Sequence, residues 1–132
     1  MLKKKVVLVG ASARVRVFVR VLTEDFADRY EIAGLMDVDP GKMQGFCESL
    51  KLDVPCFTDF DAMCDAVQPD MALVTTVDRY HAEYVVRALD RKIGVICEKP
   101  LCISAEQCRA IRAAQARNPE VYAVSKSSIN SS

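Results

Sequence analysis

The sequence predicts an α/β fold, a doubly wound parallel sheet forming a single three-layer αβα domain. Six apolar runs of strand length recur along the 132 residues, and the stretches between them are long enough for helices. Several of those stretches also carry helix caps and apolar residues at helical spacing. Strands and helices alternating in this way build parallel βαβ units.

The strand candidates are Lys5–Val9, Ile32–Met36, Val54–Phe57, Met71–Thr75, Gly94–Cys97 and Val121–Val124. After the second, Asp39 is a cap and Pro40 a first helical residue, with Met43, Phe46, Cys47 and Leu50 at helical spacing. After the third, Asp59 precedes Phe60, Met63, Cys64 and Val67, and Pro69 stops the helix. Asp78 is read as the cap of a helix through Leu89. Ser104 with Gln107 forms a capping box, and Asn118-Pro119 closes the helix it opens. Periodicity does not decide the segment Arg14–Leu22: Val15, Val17, Val19 and Val21 alternate as in a strand, while Phe18, Val21, Leu22 and Phe26 fit a helical face. Topology decides it, because joining two parallel neighbouring strands requires a crossover, and a helix is the usual one. Residues 1–124 are read as the domain, and 125–132, with five serines, as a polar tail or shortened linker.

Composition narrows the function. Apolar residues make up 51% and charged residues 27%, a globular profile. Lys plus Arg and Asp plus Glu number 18 each, so no net field exists to hold a nucleic-acid backbone or an anionic membrane surface. The start, Met1-Leu2-Lys3-Lys4-Lys5 and then Val6–Val9, imitates a secretory signal, but its apolar core is too short. No later run approaches the roughly 20 apolar residues of a membrane span. The six cysteines have no CxxC spacing and only His81 to join them, so no metal site is expected and the cysteines are read as reduced, mostly inward-facing thiols of a cytoplasmic protein.

Gly10 ends the first strand, where backbone amides and a helix N-terminus can receive a diphosphate. The dinucleotide fingerprint places glycines first, third and sixth; this chain has Gly10, Ser12 and Val15. Gly10, Ser12, Ala13 and Arg14 are the phosphate-loop candidates, with an ordinary turn as the alternative for Gly10. Asp37 ends the second strand, roughly 20 residues beyond the loop, where a carboxylate can accept hydrogen bonds from adenosine ribose hydroxyls and would repel a 2′-phosphate. NAD is therefore expected ahead of NADP. The alternative for Asp37 is a turn residue leading into the Asp39 cap.

With these residues in place, the chain resembles the Gfo/Idh/MocA oxidoreductases over almost its whole length, to about Val124. Glu98-Lys99-Pro100-Leu101 after a short apolar strand resembles the family's EKP segment, and Thr75-Thr76-Val77-Asp78-Arg79-Tyr80-His81 resembles its TPxxxH loop, with valine for the proline. The resemblance implies a Rossmann domain with a nicotinamide cofactor across the carboxyl edge of the sheet, bound by Thr75, Thr76, His81, Glu98 and Lys99 besides the residues above. It makes Lys99 the catalytic candidate, its ammonium stabilising charge on the oxygen of a sugar, polyol or related substrate during hydride transfer. Taken as an isolated tripeptide, Glu98-Lys99-Pro100 is a solvated loop, and His81 an exposed imidazole.

The expected partners are a nicotinamide dinucleotide and, in a full-length enzyme, a sugar-like small molecule, with assembly into a homo-oligomer compatible. The family's second domain lies outside this sequence, so negligible turnover is expected of the chain alone. Three classes remain open: the cofactor half of an oxidoreductase, a non-enzymatic dinucleotide-sensing or partner-binding module, and an inactive remnant.

Overall fold

A computed structural model describes residues 4–11, 15–24, 28–75, 78–98, 104–121 and 123–126. Six parallel strands, β1 (Lys4–Val9), β2 (Tyr30–Met36), β3 (Cys56–Phe57), β4 (Met71–Val74), β5 (Gly94–Glu98) and β6 (Ala123–Lys126), form one sheet in the order β3-β2-β1-β4-β5-β6. Five helices alternate with them: α1 (Val15–Glu24), α2 (Pro40–Leu50), α3 (Phe60–Val67), α4 (Asp78–Asp90) and α5 (Ala105–Arg117). The chain winds outward from β1 to β3, then returns across the sheet to β4 and winds the other way. The reversal falls between β1 and β4, the place at the carboxyl ends of the strands where open α/β sheets hold their ligands.

The apolar run of β1 is buried on both faces, and the pleat divides it. Val7 and Val9 join α3, α4 and α5 in one core with Phe60, Met63, Val85, Leu89 and Ile111, whereas Val6 and Leu8 join α1 and α2 in the other with Val19, Met43 and Phe46. The pleat divides β4 in the same way, with Ala72 and Val74 in the first core and Leu73 in the second. Strands buried on both faces read as continuous apolar runs, which is why β1 and β4 are so plain in the sequence.

Local chemistry sets the helix ends. Asp39 accepts from the amides of Gly41 and Lys42, Asp59 from that of Ala62, and Ser104 from that of Gln107. Asp78, expected to sit ahead of its helix, is instead the first residue of α4, a shift of the size that fraying helix ends produce. The segment that alternated like a strand is the helix α1, its Val19 buried in the second core. Burial against the sheet overrides the weak helix propensity of a valine-rich stretch.

Two other expectations are corrected. The last strand runs two residues later than its apolar pattern, through Ser125 and Lys126, which pair with Cys97 and Glu98. An edge strand is bonded on one side only and so accepts polar residues that the pattern does not score. Among the described cysteines, most are not inward-facing free thiols: Cys64 is buried, Cys47 half-buried, Cys56 exposed, and Cys108 is disulfide-bonded. Compartment arguments say nothing about which sulfurs a fold brings together.

Candidate dinucleotide-binding site

The ladder registers align one row of residues across the carboxyl edge. Val9 pairs with Met36 on one side and Val74 on the other, and Val74 pairs with Cys97. The residues that follow, Asp37, Gly10, Thr75 and Glu98, therefore stand side by side at the ends of β2, β1, β4 and β5. At about 4.8 Å between strands, the row spans roughly 14 Å and straddles the reversal point.

Gly10 turns the chain out of β1 with φ of 105°, a conformation that side chains with a Cβ rarely adopt. Its amide donates to the Met36 carbonyl at 2.8 Å. The next amide, on buried Ala11, donates to Asp37 Oδ2 at 2.9 Å. Asp37 Oδ1 accepts from the Asp39 amide at 3.0 Å, and Lys42 Nζ stands 4.0 Å from Oδ2, with the Asp37 side chain 11% exposed. The turn reading of Asp37 holds, and the same carboxylate makes a second, longer-range contact. It shapes the turn into α2, and it ties the loop after β1 to the end of β2. An ionised carboxylate accepts about four hydrogen bonds, so two amides leave capacity for a diol.

Thr75 is fixed from β4, on the other side of the reversal point. Its amide donates to the Val9 carbonyl at 2.8 Å, and its buried hydroxyl donates to the Gly10 carbonyl at 3.1 Å, with the Val9 carbonyl also near at 3.4 Å. Gly10 is therefore held by β2 through its amide and by Thr75 through its carbonyl. The first turn of α1 contains no acidic residue, so nothing there opposes an anion at the positive end of the helix.

The remaining candidates are placed to different extents. Glu98 ends β5, and His81 is the fourth residue of α4. Ser12, Ala13, Arg14, Thr76 and Lys99 lie outside the described residues. The sequence reading missed Lys42, which the first turn of α2 carries to Asp37, and the hydroxyl bond from Thr75 to Gly10. A basic residue five positions after the strand-end acid was the available signal for the first.

The sequence model of the Gfo/Idh/MocA family, described as an oxidoreductase family with an NAD-binding Rossmann fold, matches residues 4–126. The chain belongs to this family. It is 33% identical over 121 residues to the "Putative oxidoreductase YteT" of Bacillus subtilis (strain 168), a match covering 87% of this chain and 28% of that protein. It is 32% identical over 81 residues to an inositol 2-dehydrogenase of Pseudomonas fluorescens (strain SBW25), covering 61% of this chain and 24% of that one. The scyllo-inositol dehydrogenase of Lactobacillus casei, solved with bound NAD(H) and scyllo-inositol, superposes with a TM-score of 0.82 at 17% identity over 94% of this chain and 36% of that one. The chain thus spans about a quarter of the length of these curated relatives, and the matched region is the family's NAD-binding Rossmann domain.

Among the described residues, no group of three or more His, Cys, Asp or Glu is placed to hold a metal ion, and no helix is long and apolar enough to cross a membrane.

Proposed function

We propose that the row Asp37, Gly10, Thr75 and Glu98 binds NAD(H) as the cofactor half of an oxidoreductase acting on a sugar-like or polyol substrate. Asp37 would hold the adenosine ribose, and Gly10, Ser12, Ala13 and Arg14 would hold the diphosphate. Thr76, His81, Glu98 and Lys99 would hold the nicotinamide end. The observation that carries this reading is the Asp37 carboxylate, held by the Ala11 and Asp39 amides beside a left-handed Gly10 at the point where the winding reverses.

The residues fit the cofactor. Gly10 brings no side chain to the turn and holds a positive φ there, and Asp37 offers a diol acceptor capacity at low exposure. When bound, the cofactor supplies a hydride acceptor or donor. The chain's own residues bind and orient it, and Lys99 stabilises developing charge on the substrate oxygen. The relatives named as inositol 2-dehydrogenases support a polyol substrate class. A cytoplasmic location and assembly into a homo-oligomer belong to the same reading.

Calorimetric titration of the full chain with NADH and NADPH tests it. Saturable NADH binding is expected, weakened about 10- to 100-fold in Asp37→Asn, since a hydrogen bond to a charged group contributes about 1.5–3 kcal/mol. Preference for NADPH, or NADH affinity unmoved by Asp37→Asn, overturns the assignment.

A further inference from the structure

Two sulfurs lie together outside this row. Cys47 belongs to the last turns of α2, and Cys56 opens β3, the edge strand. Their Sγ atoms are 3.8 Å apart although nine residues separate them along the chain. Local structure brings them together. Lys51 ends α2 in the left-handed conformation, the Leu52 amide returns to the Cys47 carbonyl at 2.9 Å, and Cys56 then pairs with Leu35 of β2. The Cys56 thiol donates to the Val54 carbonyl at 3.6 Å, so the hydrogen between the two sulfurs is that of Cys47. Cys56 is exposed and Cys47 half-buried, and both line a groove of about 480 Å³ with Met43, Leu52 and Val54.

We propose that Cys47 and Cys56 form a thiol–disulfide exchange site that reacts with a low-molecular-weight disulfide and closes to an intramolecular disulfide pinning α2 to β3. Bonded sulfurs stand about 2.05 Å apart, so the pair must close by somewhat under about 2 Å. Cys56, open to solvent, loses its proton to water and attacks one sulfur of the small disulfide. That step forms a mixed disulfide and releases one small thiol. Cys47 then loses its proton, its sulfur attacks Cys56 Sγ, and the second small thiol leaves. Two protein thiols are oxidised, one small disulfide is reduced to two thiols, and the released protons are taken up by the departing thiolates.

The order of attack follows from the surroundings. Burial, reinforced by the neighbouring Cys56 sulfur, pushes the Cys47 thiol up to about 11, which keeps it protonated until the mixed disulfide stands beside it. Cys64, also pushed up to about 11 by burial, sits in the core and has no such access.

The full chain, incubated with oxidised glutathione and then alkylated, reports the reaction directly. Tryptic cleavage at Lys51 separates Cys47, in 43–51, from Cys56, in 52–79. The expected product is these two peptides joined, two alkylation sites lost, and both regained on reduction. In Cys47→Ser, the reaction stops with one glutathione on Cys56. Recovery of both cysteines fully alkylated after oxidant overturns the proposal. So does a linked species that survives in Cys56→Ser, because Cys64 shares the second peptide. The wild-type mapping stands whether or not either variant folds.

Discussion

Replacing Thr75 with valine removes one buried hydroxyl beside Gly10 while keeping a side chain of the same shape. The Thr75 amide still donates to Val9, so the β1–β4 ladder survives. What is lost is the 3.1 Å bond to the Gly10 carbonyl, at a threonine only 6% exposed. A neutral hydrogen bond contributes about 1 kcal/mol net, and a buried acceptor left without its donor raises the cost toward about 3 kcal/mol. Thr75→Val should therefore destabilise the chain by about 1–3 kcal/mol, with a melting temperature lower by roughly 3–6 °C per kcal/mol for a domain of this size. Equilibrium urea unfolding followed by circular dichroism measures it as a lower midpoint at unchanged slope. NADH affinity should fall a few-fold in the same variant, because Gly10 loses one of its two restraints. A stability change under about 0.5 kcal/mol would show that the hydroxyl does not hold the loop, and the account of how Gly10 is positioned would fail.

Lys42 bears on cofactor choice. Its ammonium partly offsets the Asp37 charge that a 2′-phosphate would meet, so Lys42→Ala should weaken NADPH by up to about five-fold and NADH less. Competition binding checks this, and an unchanged ratio of the two affinities refutes it. On the opposite face, a hydrogen bond from Arg87, helped by Arg91, holds the Asp61 carboxyl below its ordinary value of 3.8. A depressed folded-state value means the contribution is complete above about pH 4 and is lost as pH falls through the folded value. Asp61→Asn should then cost no more than about 1 kcal/mol at neutral pH, because the pair is half exposed, and the difference from wild type should vanish in acid. Urea midpoints measured from pH 7 downward test the sign, and a difference that grows in acid contradicts it.

Most of the architecture was legible because its causes are local or periodic. The caps at Asp39, Asp59 and Ser104 each act within three residues, and the doubly buried β1 and β4 show as unbroken apolar runs. The helix α1 was legible only through the topology that demands a crossover, since its valines alternate. Asp37 and Gly10 were legible as strand-end residues by position. Their connections were not, because the bonds from Ala11 to Asp37 and from Thr75 to Gly10 join residues 26 and 65 apart. The exposure of Cys56 depends on β3 being an edge strand, a fact of sheet order. The polar end of β6 escaped the apolar pattern for the same reason.

A backbone amide spectrum of the isotopically labelled chain, titrated with NADH, tests the central claim most directly. The account predicts saturable shifts at Gly10, Ala11, Asp37, Val38 and Thr75, with Cys56 and the C-terminal half of α5 unmoved. Shifts clustered away from the carboxyl ends of β1, β2 and β4, or none at saturating NADH, would contradict it.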